Sequence, residues 1–267
     1  MMKPNRKKTA LITGATSGIG AAYAYALAER GYDLILTGRR REVINEVAER
    51  IREKFQANVL VVIVELSDAK EIDQLIHTMQ RMGPIDILVN NAGFTSKGLF
   101  YQQDIIEQEK MVLVHNIAMM KLTHAVLPGM TERRCGAIIN VSSIQAVTPM
   151  PFSATYSSAK AFMKNFSICL HCEVKDLGVK VQCVLAGFTR TDLGRYIGVD
   201  MTRAKDVPFA HWMLPEDVVR ISLHGLLNKN RVICIPGAGN KALYVMAKLV
   251  PERLWYRLAP SIVKRMP

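Results

Sequence analysis

A tyrosine and a lysine lie four residues apart in a segment with a helical pattern, Tyr156 and Lys160. This spacing places a phenol and an ammonium group on one face of a helix. A free phenol titrates near pH 10, and a neighbouring positive charge favours its ionised form. Such a pair can give a proton to a substrate oxygen or take one from it. The same spacing recurs at Tyr244 and Lys248, so the spacing alone does not identify a site.

The residues that precede each pair distinguish the two. Ser143 lies thirteen residues before Tyr156, at the end of an apolar run over 138–142, whereas Arg231 lies thirteen residues before Tyr244. The sequence therefore favours a site at Ser143, Tyr156 and Lys160.

A glycine-rich segment follows the first apolar run, with Gly14, Gly18 and Gly20 interleaved with Thr16 and Ser17. Glycine permits a sharp turn and a close approach of the backbone to a pyrophosphate, and the N-terminus of the next helix offers free N–H groups. A glycine-rich turn without a ligand is the alternative. The position of the segment between a predicted strand and a predicted helix favours nucleotide binding.

Three arginines end the second apolar run, Arg39, Arg40 and Arg41, beginning nineteen residues after Gly20. A carboxylate near this point would bind the 2′-hydroxyl of NAD, and an arginine accommodates the 2′-phosphate of NADP. A solvated basic start to a helix is the alternative, and it is unfavourable near the positive end of the helix. We predict NADP(H) as cofactor in preference to NAD(H).

Short apolar runs alternate with helix-length amphipathic segments along most of the chain. The runs are continuous rather than alternating, which is typical of strands buried on both faces of a parallel sheet. We predict strands over 9–13, 33–37, 59–65, 85–89, 137–142, 180–185 and 231–235, and helices near 18–30, 40–54, 68–82, 103–128, 155–177 and 215–228. The predicted fold class is α/β, a doubly wound Rossmann fold with a parallel sheet of about seven strands and helices on both faces.

The length of 267 residues suits one large domain better than two small ones. We expect a mobile basic tail over 1–8, the Rossmann domain over 9–236 and a basic amphipathic extension of the same domain over 237–267. The extension can lie on an anionic membrane, on its own domain or on a partner subunit. These alternatives remain open.

Together the motifs resemble the short-chain dehydrogenase/reductase family, in its single-domain branch, with likeness to hydroxysteroid dehydrogenases and 3-oxoacyl reductases. The resemblance extends from about residue 9 to residue 235 and rests on the glycine motif, the run Asn90-Asn91-Ala92-Gly93, and the residues Asn116, Ser143, Tyr156 and Lys160 in the family's order.

The resemblance implies a role for each matching residue. Tyr156 would exchange the proton, Lys160 would lower its pKa and bind the nicotinamide ribose, Ser143 would hold the substrate oxygen, and Asn116 would anchor a relay water. The implied cofactor-binding residues are Gly14, Thr16, Ser17, Gly18, Ile19, Gly20, Arg39, Arg40, Glu65, Leu66, Asn91, Ala92, Gly93, Tyr156, Lys160, Gly187, Thr189 and Thr191. The expected substrate-binding residues are Ser143, Gln145, Phe152, Tyr156, Phe188, Tyr196 and Trp212.

The chain departs from the family pattern at two places. Ala186-Gly187 stands where Pro-Gly is usual, and Glu65 stands where an aspartate commonly lies beside the adenine. The first departure bears on the rigidity of the loop after the sixth strand. The second keeps a carboxylate that is one methylene longer.

The net charge of +12 is concentrated in the N-terminal tail, at Arg39 to Arg41 and in the C-terminal extension. This distribution, without a nucleic-acid motif, argues against nucleic acid as a partner. Five cysteines, no export signal and no apolar run of membrane-spanning length predict a cytoplasmic protein with free thiols. No metal site is predicted. Cys169 and Cys172 are interpreted as packed thiols. His115 is interpreted as a structural neighbour of Asn116.

The sequence thus favours an NADP(H)-dependent reductase of a lipophilic ketone or alcohol, steroid-like, polycyclic or 3-oxoacyl. The partners expected are a small carbonyl or alcohol substrate and, by family habit, a second copy in a homodimer or homotetramer. Peripheral membrane contact through the extension is a further option. The alternatives are an epimerase or dehydratase on the same scaffold and a non-catalytic nucleotide-binding scaffold or redox sensor.

Overall fold

The apolar runs form one seven-stranded sheet in which each strand lies parallel to its neighbours. The structure is a computed structural model that describes residues 6–191, 212–251, 253–257 and 259. The strands are β1 (Thr9–Thr13), β2 (Asp33–Gly38), β3 (Val59–Ile63), β4 (Ile87–Asn90), β5 (Gly136–Ser143), β6 (Val179–Ala186) and β7 (Ile233–Cys234). Their order across the sheet is β3-β2-β1-β4-β5-β6-β7.

Helices connect these strands and cover both faces of the sheet. They are α1 (Gly18–Ala28), α2 (Arg41–Phe55), α3 (Ala69–Met82), α4 (Ile105–Val112), a π-helix (Leu113–Ile117), α5 (Ala118–Glu132), α6 (Ala154–Val174), α7 (Pro215–Lys229) and α8 (Ala238–Leu249). Residues 253–257 are also helical. The predicted doubly wound α/β class is confirmed.

The order of the strands reverses at β1, which pairs with β2 on one side and with β4 on the other. In a parallel sheet the loops that leave the two halves at this point diverge and open a crevice at the carboxyl ends of the strands. The fold therefore places the end of β1, where the glycine motif begins, at the centre of the molecule.

Alternate side chains of each strand enter two hydrophobic cores. Ile12 of β1 packs in a core with α1, α2 and α7, and its neighbour Leu11 packs in a core with α3, α5 and α6. A buried polar chain crosses the first core: the Tyr23 hydroxyl donates to Ser222 at 2.5 Å, and Ser222 donates to Gln182 at 2.6 Å. This chain joins α1 to α7 and β6.

Two element boundaries differ from prediction for identifiable reasons. The helix predicted over 103–128 continues through Pro128 to Glu132, because Val126 and Met130 on either side of the proline are buried against the sheet. The strand predicted over 231–235 is reduced to Ile233 and Cys234, which pair with β6 at the edge of the sheet.

One helical run within the described residues, Ile105–Glu132, is long and apolar enough to cross a membrane on length and composition alone. Leu122, Val126 and Met130 of this run are buried in the second core. Its apolar composition is thus accounted for by packing on the sheet.

Two residues of the predicted N-terminal tail, Arg6 and Lys7, contact the domain. Arg6 forms an ion pair with Asp86 at 2.7 Å, and Lys7 forms one with Asp33 at 3.3 Å. Because both carboxylates lie beside the amino ends of strands, these two residues belong to the domain rather than to a mobile tail.

Candidate active site

A cleft of about 590 Å³ lies at the carboxyl ends of the strands, where the strand order reverses. The ends of β1, β2, β5 and β6 and the loop after β4 form its walls. This is the position at which ligands bind in open parallel sheets.

The glycine motif forms one end of the cleft and depends on the absence of side chains. Gly14 and Gly18 have positive φ angles of 65° and 57°. A Cβ atom at Gly14 would lie 2.8 Å from the Cα of Ala92, and one at Gly20 would overlap the carbonyl oxygen of Gly14. Gly14 and Gly18 line the cleft, whereas Gly20 lies behind the loop and lets α1 pack against it.

Helix α1 begins within the glycine motif, so its first turn lies next to the loop. Ser17 is the N-cap residue, and its side chain makes no capping hydrogen bond within the described structure. The amides of the first turn therefore remain available, and the positive end of the helix favours an anion. The arrangement fits the pyrophosphate of a dinucleotide.

Two arginines flank the cleft where β2 ends. Arg39 Nη1 lies 3.2 Å from Glu65 Oε2, and Arg40 Nη2 lies 3.0 Å from both Thr16 Oγ1 and Ser17 Oγ. Partial burial acts to raise the pKa of Glu65, but hydrogen bonds from Ser67 and then Arg39 lower this pKa overall. Guanidinium groups offer several N–H donors in one plane, which is a suitable arrangement for binding an anion.

The loop after β4 is tied to the glycine motif. Asn91 Nδ2 donates to the carbonyl oxygens of Thr13 and Gly14 at 3.0 and 3.1 Å. In return, Thr13 Oγ1 accepts hydrogen bonds from the backbone N–H groups of Asn91 and Ala92. These bonds hold the two loops that form the floor of the cleft in a fixed relation.

The predicted catalytic side chains meet at the inner end of the cleft. Tyr156 and Ser143 both line the cleft, and the Oγ of Ser143 accepts the N–H of Gln145 at 3.2 Å. Lys160 Nζ lies 5.6 Å from the centre of the Tyr156 ring and donates to the carbonyl of Val141 at 2.9 Å. Helix α6, which carries Tyr156 and Lys160, therefore meets the end of β5, which carries Ser143, at the cleft.

Hydrogen bonds from β5 and the π-helix fix the position of α6. Ser142 Oγ donates to the carbonyl of Lys160 at 2.8 Å, and Asn140 Nδ2 donates to Ser167 at 2.9 Å. Asn116 Nδ2 donates to the carbonyl of Ala159 at 3.0 Å. The side chain of Asn116 thus supports the helix that carries Tyr156 and Lys160, and it lies behind the cleft wall.

Burial dominates the ionisation of both predicted catalytic groups. It raises the pKa of Tyr156 to about 12, against the opposing hydrogen bond from Ser143. It lowers the pKa of Lys160 to about 7, against an opposing effect of Cys183. The lowering of the pKa of Tyr156 by a charged Lys160 stays a prediction.

His115 has a closer relation to the site than the sequence indicated. It is buried in the cleft wall, and its ring lies edge-on to Tyr156 with centroids 5.7 Å apart. Its Nε2 lies 2.8 Å from the carbonyl oxygen of Phe94. Burial and then the charge of Lys160 hold the pKa of His115 well below its usual value. Its position beside Asn116 in the sequence was the available signal.

The outer part of the cleft is largely apolar. Phe188 and Trp212 line it, with ring centroids 5.1 Å apart, and Gln145 also lines it. Phe152 is not among the lining residues, because the chain turns there with a positive φ of 65° and its carbonyl accepts the N–H of Gly98. Tyr196 lies outside the described residues.

The C-terminal extension contributes to the cleft, which the sequence analysis did not predict. Leu243 of α8 lines the cleft, and Asn240 is buried against Gly187. Farther along, Trp255 Nε1 donates to the carbonyl of Pro149 at 2.9 Å.

Most of the sequence-predicted residues are brought together. Three of the described ones, Asn116, Gly20 and Phe152, do not line the cleft. The predicted residues that line it are Gly14, Thr16, Ser17, Gly18, Ile19, Arg39, Arg40, Glu65, Leu66, Asn91, Ala92, Gly93, Ser143, Gln145, Tyr156, Lys160, Gly187, Phe188, Thr189, Thr191 and Trp212.

Comparison with known proteins bears directly on this arrangement. A family model described as short chain dehydrogenase matches residues 8–201. The chain belongs to this family. The very-long-chain 3-oxoacyl-CoA reductase of Bos taurus is 36% identical over 190 residues, which are 70% of this short chain dehydrogenase and 61% of the bovine protein. The chain therefore matches about three fifths of the length of that relative.

Two further similarities extend over more of this short chain dehydrogenase. The inactive hydroxysteroid dehydrogenase-like protein 1 of Homo sapiens is 31% identical over 256 residues, covering 92% of this chain and 73% of the human protein. A solved short-chain dehydrogenase from Sphingobium yanoikuyae in complex with NADPH is 30% identical, with a TM-score of 0.82 over 93% of this chain and 95% of that chain. The cleft and its walls thus belong to a fold shared with an NADPH-binding protein.

Proposed function

We propose that the protein is an NADP(H)-dependent oxidoreductase that interconverts a lipophilic ketone and its secondary alcohol. The observation that carries the proposal is that Ser143, Tyr156 and Lys160 line the same cleft as the glycine motif. A proton donor and a dinucleotide-binding loop in one cleft are what hydride transfer to a carbonyl requires.

In the reductive direction, NADPH bound along the cleft would supply a hydride to the carbonyl carbon. Tyr156 donates its hydroxyl proton to the carbonyl oxygen as the negative charge develops there. Ser143 holds that oxygen by donating a hydrogen bond, and the ammonium group of Lys160 stabilises the negative charge of the phenolate that remains. In the oxidative direction Tyr156 accepts the proton from the alcohol. The raised pKa of Tyr156 keeps the phenol protonated at neutral pH, which suits reduction.

The preference for NADP(H) is supported by Arg39 and Arg40, which line the cleft where β2 ends. A guanidinium group suits a phosphate because it offers several N–H donors in one plane. The NADPH complex of the related protein from Sphingobium yanoikuyae agrees with this assignment.

A lipophilic substrate is supported by the outer cleft, where Phe188, Trp212, Ile144 and Met150 contribute apolar surface. The steroid-like, polycyclic and 3-oxoacyl classes all suit such a wall. The name of the bovine relative, a very-long-chain 3-oxoacyl-CoA reductase, favours the last of them.

A non-catalytic nucleotide-binding scaffold is the second candidate, because one relative over most of the chain carries a name that calls it inactive. The presence of Ser143, Tyr156 and Lys160 in the wall of one cleft favours the enzyme, since a pure binder needs none of them. An epimerase or dehydratase on the same scaffold would use the same tyrosine.

A homodimer or homotetramer in the cytoplasm belongs to the same proposal. Its support is the exposed apolar surface on α4 and α6, where Val112, Phe162 and Ile168 are each about 40% exposed. Phe162 also stacks on Phe166 with centroids 6.0 Å apart, which gives a flat aromatic patch.

Replacing Tyr156 with phenylalanine tests the enzyme proposal. We expect Tyr156→Phe to lower ketone reduction by at least about 10²-fold, because the general acid is lost. Reduction is measured as NADPH oxidation with steroid, polycyclic, quinone and 3-oxoacyl thioester carbonyls, and NADPH binding is measured by fluorescence. The control is Tyr244→Phe, which alters the tyrosine of the second Tyr-x-x-x-Lys sequence and should leave reduction unchanged. Wild type and Tyr156→Phe that are equally inactive while both bind NADPH would favour the scaffold.

Replacing Arg39 with alanine tests the cofactor preference. We expect Arg39→Ala to weaken NADPH binding about tenfold or more, as for loss of a charge-assisted hydrogen bond, and to leave NADH binding nearly unchanged. Titration of both cofactors gives the comparison. Arg41→Ala is the control, because Arg41 is exposed and is not part of the cleft wall. Equal losses for the two cofactors would contradict the assignment.

A further inference from the structure

Helix α8 has two apolar faces, and only one of them is packed on the domain. The inner face contains Asn240, Leu243, Tyr244 and Ala247, at spacings of three, four and seven residues from the first. Asn240 is buried against Gly187, Leu243 lines the cleft and Tyr244 packs on a small hydrophobic core. This face accounts for the attachment of the helix.

The opposite face presents an apolar stripe to solvent. Ala242, Val245, Met246 and Leu249 follow the same three, four and seven spacing, and we call these four residues the α8 stripe. Val245, Met246 and Leu249 are 53%, 54% and 76% exposed. Leu254 and Tyr256, which follow in the helical residues 253–257, are also exposed. An apolar helix face of this kind marks an interaction surface.

Positive charges border the α8 stripe. Lys241 and Lys248, seven residues apart, lie along one edge of it, and Arg253 and Arg257 follow; all four are exposed. Residues 237–267 contain six basic residues and one acidic residue, Glu252. Lysines at the margin of an apolar helix face can extend to anionic headgroups while the apolar side chains enter the lipid.

We propose that the α8 stripe docks on the surface of an anionic lipid membrane. The charge pattern favours lipid over a second copy of the chain. A two-fold contact through this face would bring Lys241, Lys248, Arg253 and Arg257 of both copies into one interface, where like charges repel. An anionic bilayer complements both the apolar stripe and the cationic border.

Docking through this face would set the cleft close to the membrane. Leu243, on the inner side of the same helix, lines the cleft, and Trp255 holds the loop at Pro149, next to the lining residue Met150. A substrate dissolved in the bilayer would then reach the cleft without crossing water. Only this consequence rests on the proposed function, since docking itself needs no catalysis.

Flotation of the full chain with vesicles tests the docking. We expect binding to vesicles of phosphatidylcholine with about 30% phosphatidylglycerol, and weaker binding at 0.5 M salt or to phosphatidylcholine alone. Met246→Glu should lower binding by at least about tenfold, because a carboxylate replaces an apolar side chain in the lipid and opposes the anionic surface. Lys241→Ala with Lys248→Ala should lower binding by a smaller factor.

The matched control is Met82→Glu. Met82 ends α3 and is 55% exposed, against 54% for Met246, so the two variants make the same chemical change at equal exposure on different faces. Equal losses in the two variants would reduce the effect to net charge and overturn the proposal. So would absence of wild-type binding to anionic vesicles. A concentration-dependent dimer in sedimentation, lost in Met246→Glu and without vesicle binding, would assign the face to a second copy. NADPH oxidation with a water-soluble ketone, measured without lipid, tests the proposed function separately.

Discussion

At the scale of single residues, His115 and Lys160 are two buried bases that share one wall of the cleft. Both are almost inaccessible to solvent, and burial lowers the pKa of each. A neutral imidazole beside Tyr156 avoids adding a second positive charge next to Lys160. The ring of His115 therefore serves as a polar but uncharged support for the tyrosine.

The lowered pKa of His115 predicts a pH dependence of stability. An unfolded histidine titrates near pH 6.5, so below that pH the unfolded chain binds a proton that the folded chain does not. The contribution of His115 to stability is complete above about pH 6.5 and is lost as the pH falls below it, by up to about 1.4 kcal/mol per pH unit. Urea unfolding at several values between pH 7.5 and 5 measures this slope.

His115→Gln should flatten the slope, since glutamine does not titrate in this range. His77→Gln, at an exposed position on α3, is the control and should keep the wild-type slope. If His115→Gln and wild type lose stability equally between pH 6.5 and 5, the buried neutral imidazole is not the cause.

Residue type and spacing were sufficient to predict Ser143, Tyr156 and Lys160 as a group, because each side chain has a chemistry of its own and their order limits where they can meet. The ionisation of the group was not predictable in this way. The pKa of Tyr156 depends on its burial, and burial is a property of the whole fold.

At the scale of elements, the cleft depends on how closely α1 approaches the loop before it. Gly20, in the first turn of α1, has no space for a side chain, because a Cβ atom would meet the carbonyl of Gly14 and Nδ2 of Asn91. Asn91 in turn bridges Thr13 and Gly14. Helix α1, the end of β1 and the loop after β4 therefore all meet at Gly20.

Replacing Gly20 with alanine should separate these elements. We expect Gly20→Ala to lower the free energy of unfolding by roughly 1–3 kcal/mol and to weaken NADPH binding, because a methyl group must be inserted into a filled contact. Urea denaturation and NADPH titration measure the two effects.

Gly225→Ala is the control for helical glycine. Gly225 lies within α7, and the nearest atom to an added Cβ would be 3.5 Å away, which is ordinary contact distance. Alanine is the better helix former by about 1 kcal/mol, so this variant should be as stable as wild type or more stable. Unchanged stability of Gly20→Ala would show that the loop can move aside at no cost.

Element boundaries were predictable where local signals dominate and not where packing does. The apolar runs located all seven strands, because strands buried on both faces cannot tolerate charge. Pro128 is a local stop signal that the buried residues Val126 and Met130 override. The turn at Phe152 depends on its contact with Gly98, which is 54 positions earlier in the chain, and no local pattern indicates it.

At the scale of the whole molecule, the net charge of +12 is divided among places with different surroundings. Arg6 and Lys7 pair with carboxylates at the amino ends of strands, whereas Arg39 and Arg40 line the cleft. The C-terminal charges border an exposed apolar helix face. The total charge therefore says little by itself, and the position of each group decides its partner.

The C-terminal extension is the part of the molecule whose role the sequence left most open. A basic amphipathic pattern is compatible with lipid, with another subunit and with the domain itself. In the structure α8 packs on the domain through one face, and its exposed face leaves the choice between lipid and another subunit to experiment.

The buried link from Tyr23 through Ser222 to Gln182 has a consequence for synthesis of the chain. Tyr23 and Ser222 are 199 residues apart, and α7 supplies much of the core that covers α1. At about 5–20 residues per second, a ribosome would need roughly 10–40 s to proceed from Tyr23 to Ser222. During that interval the apolar side of the glycine-motif helix lacks its native cover. We therefore expect the nascent chain to need chaperones most before α7 emerges.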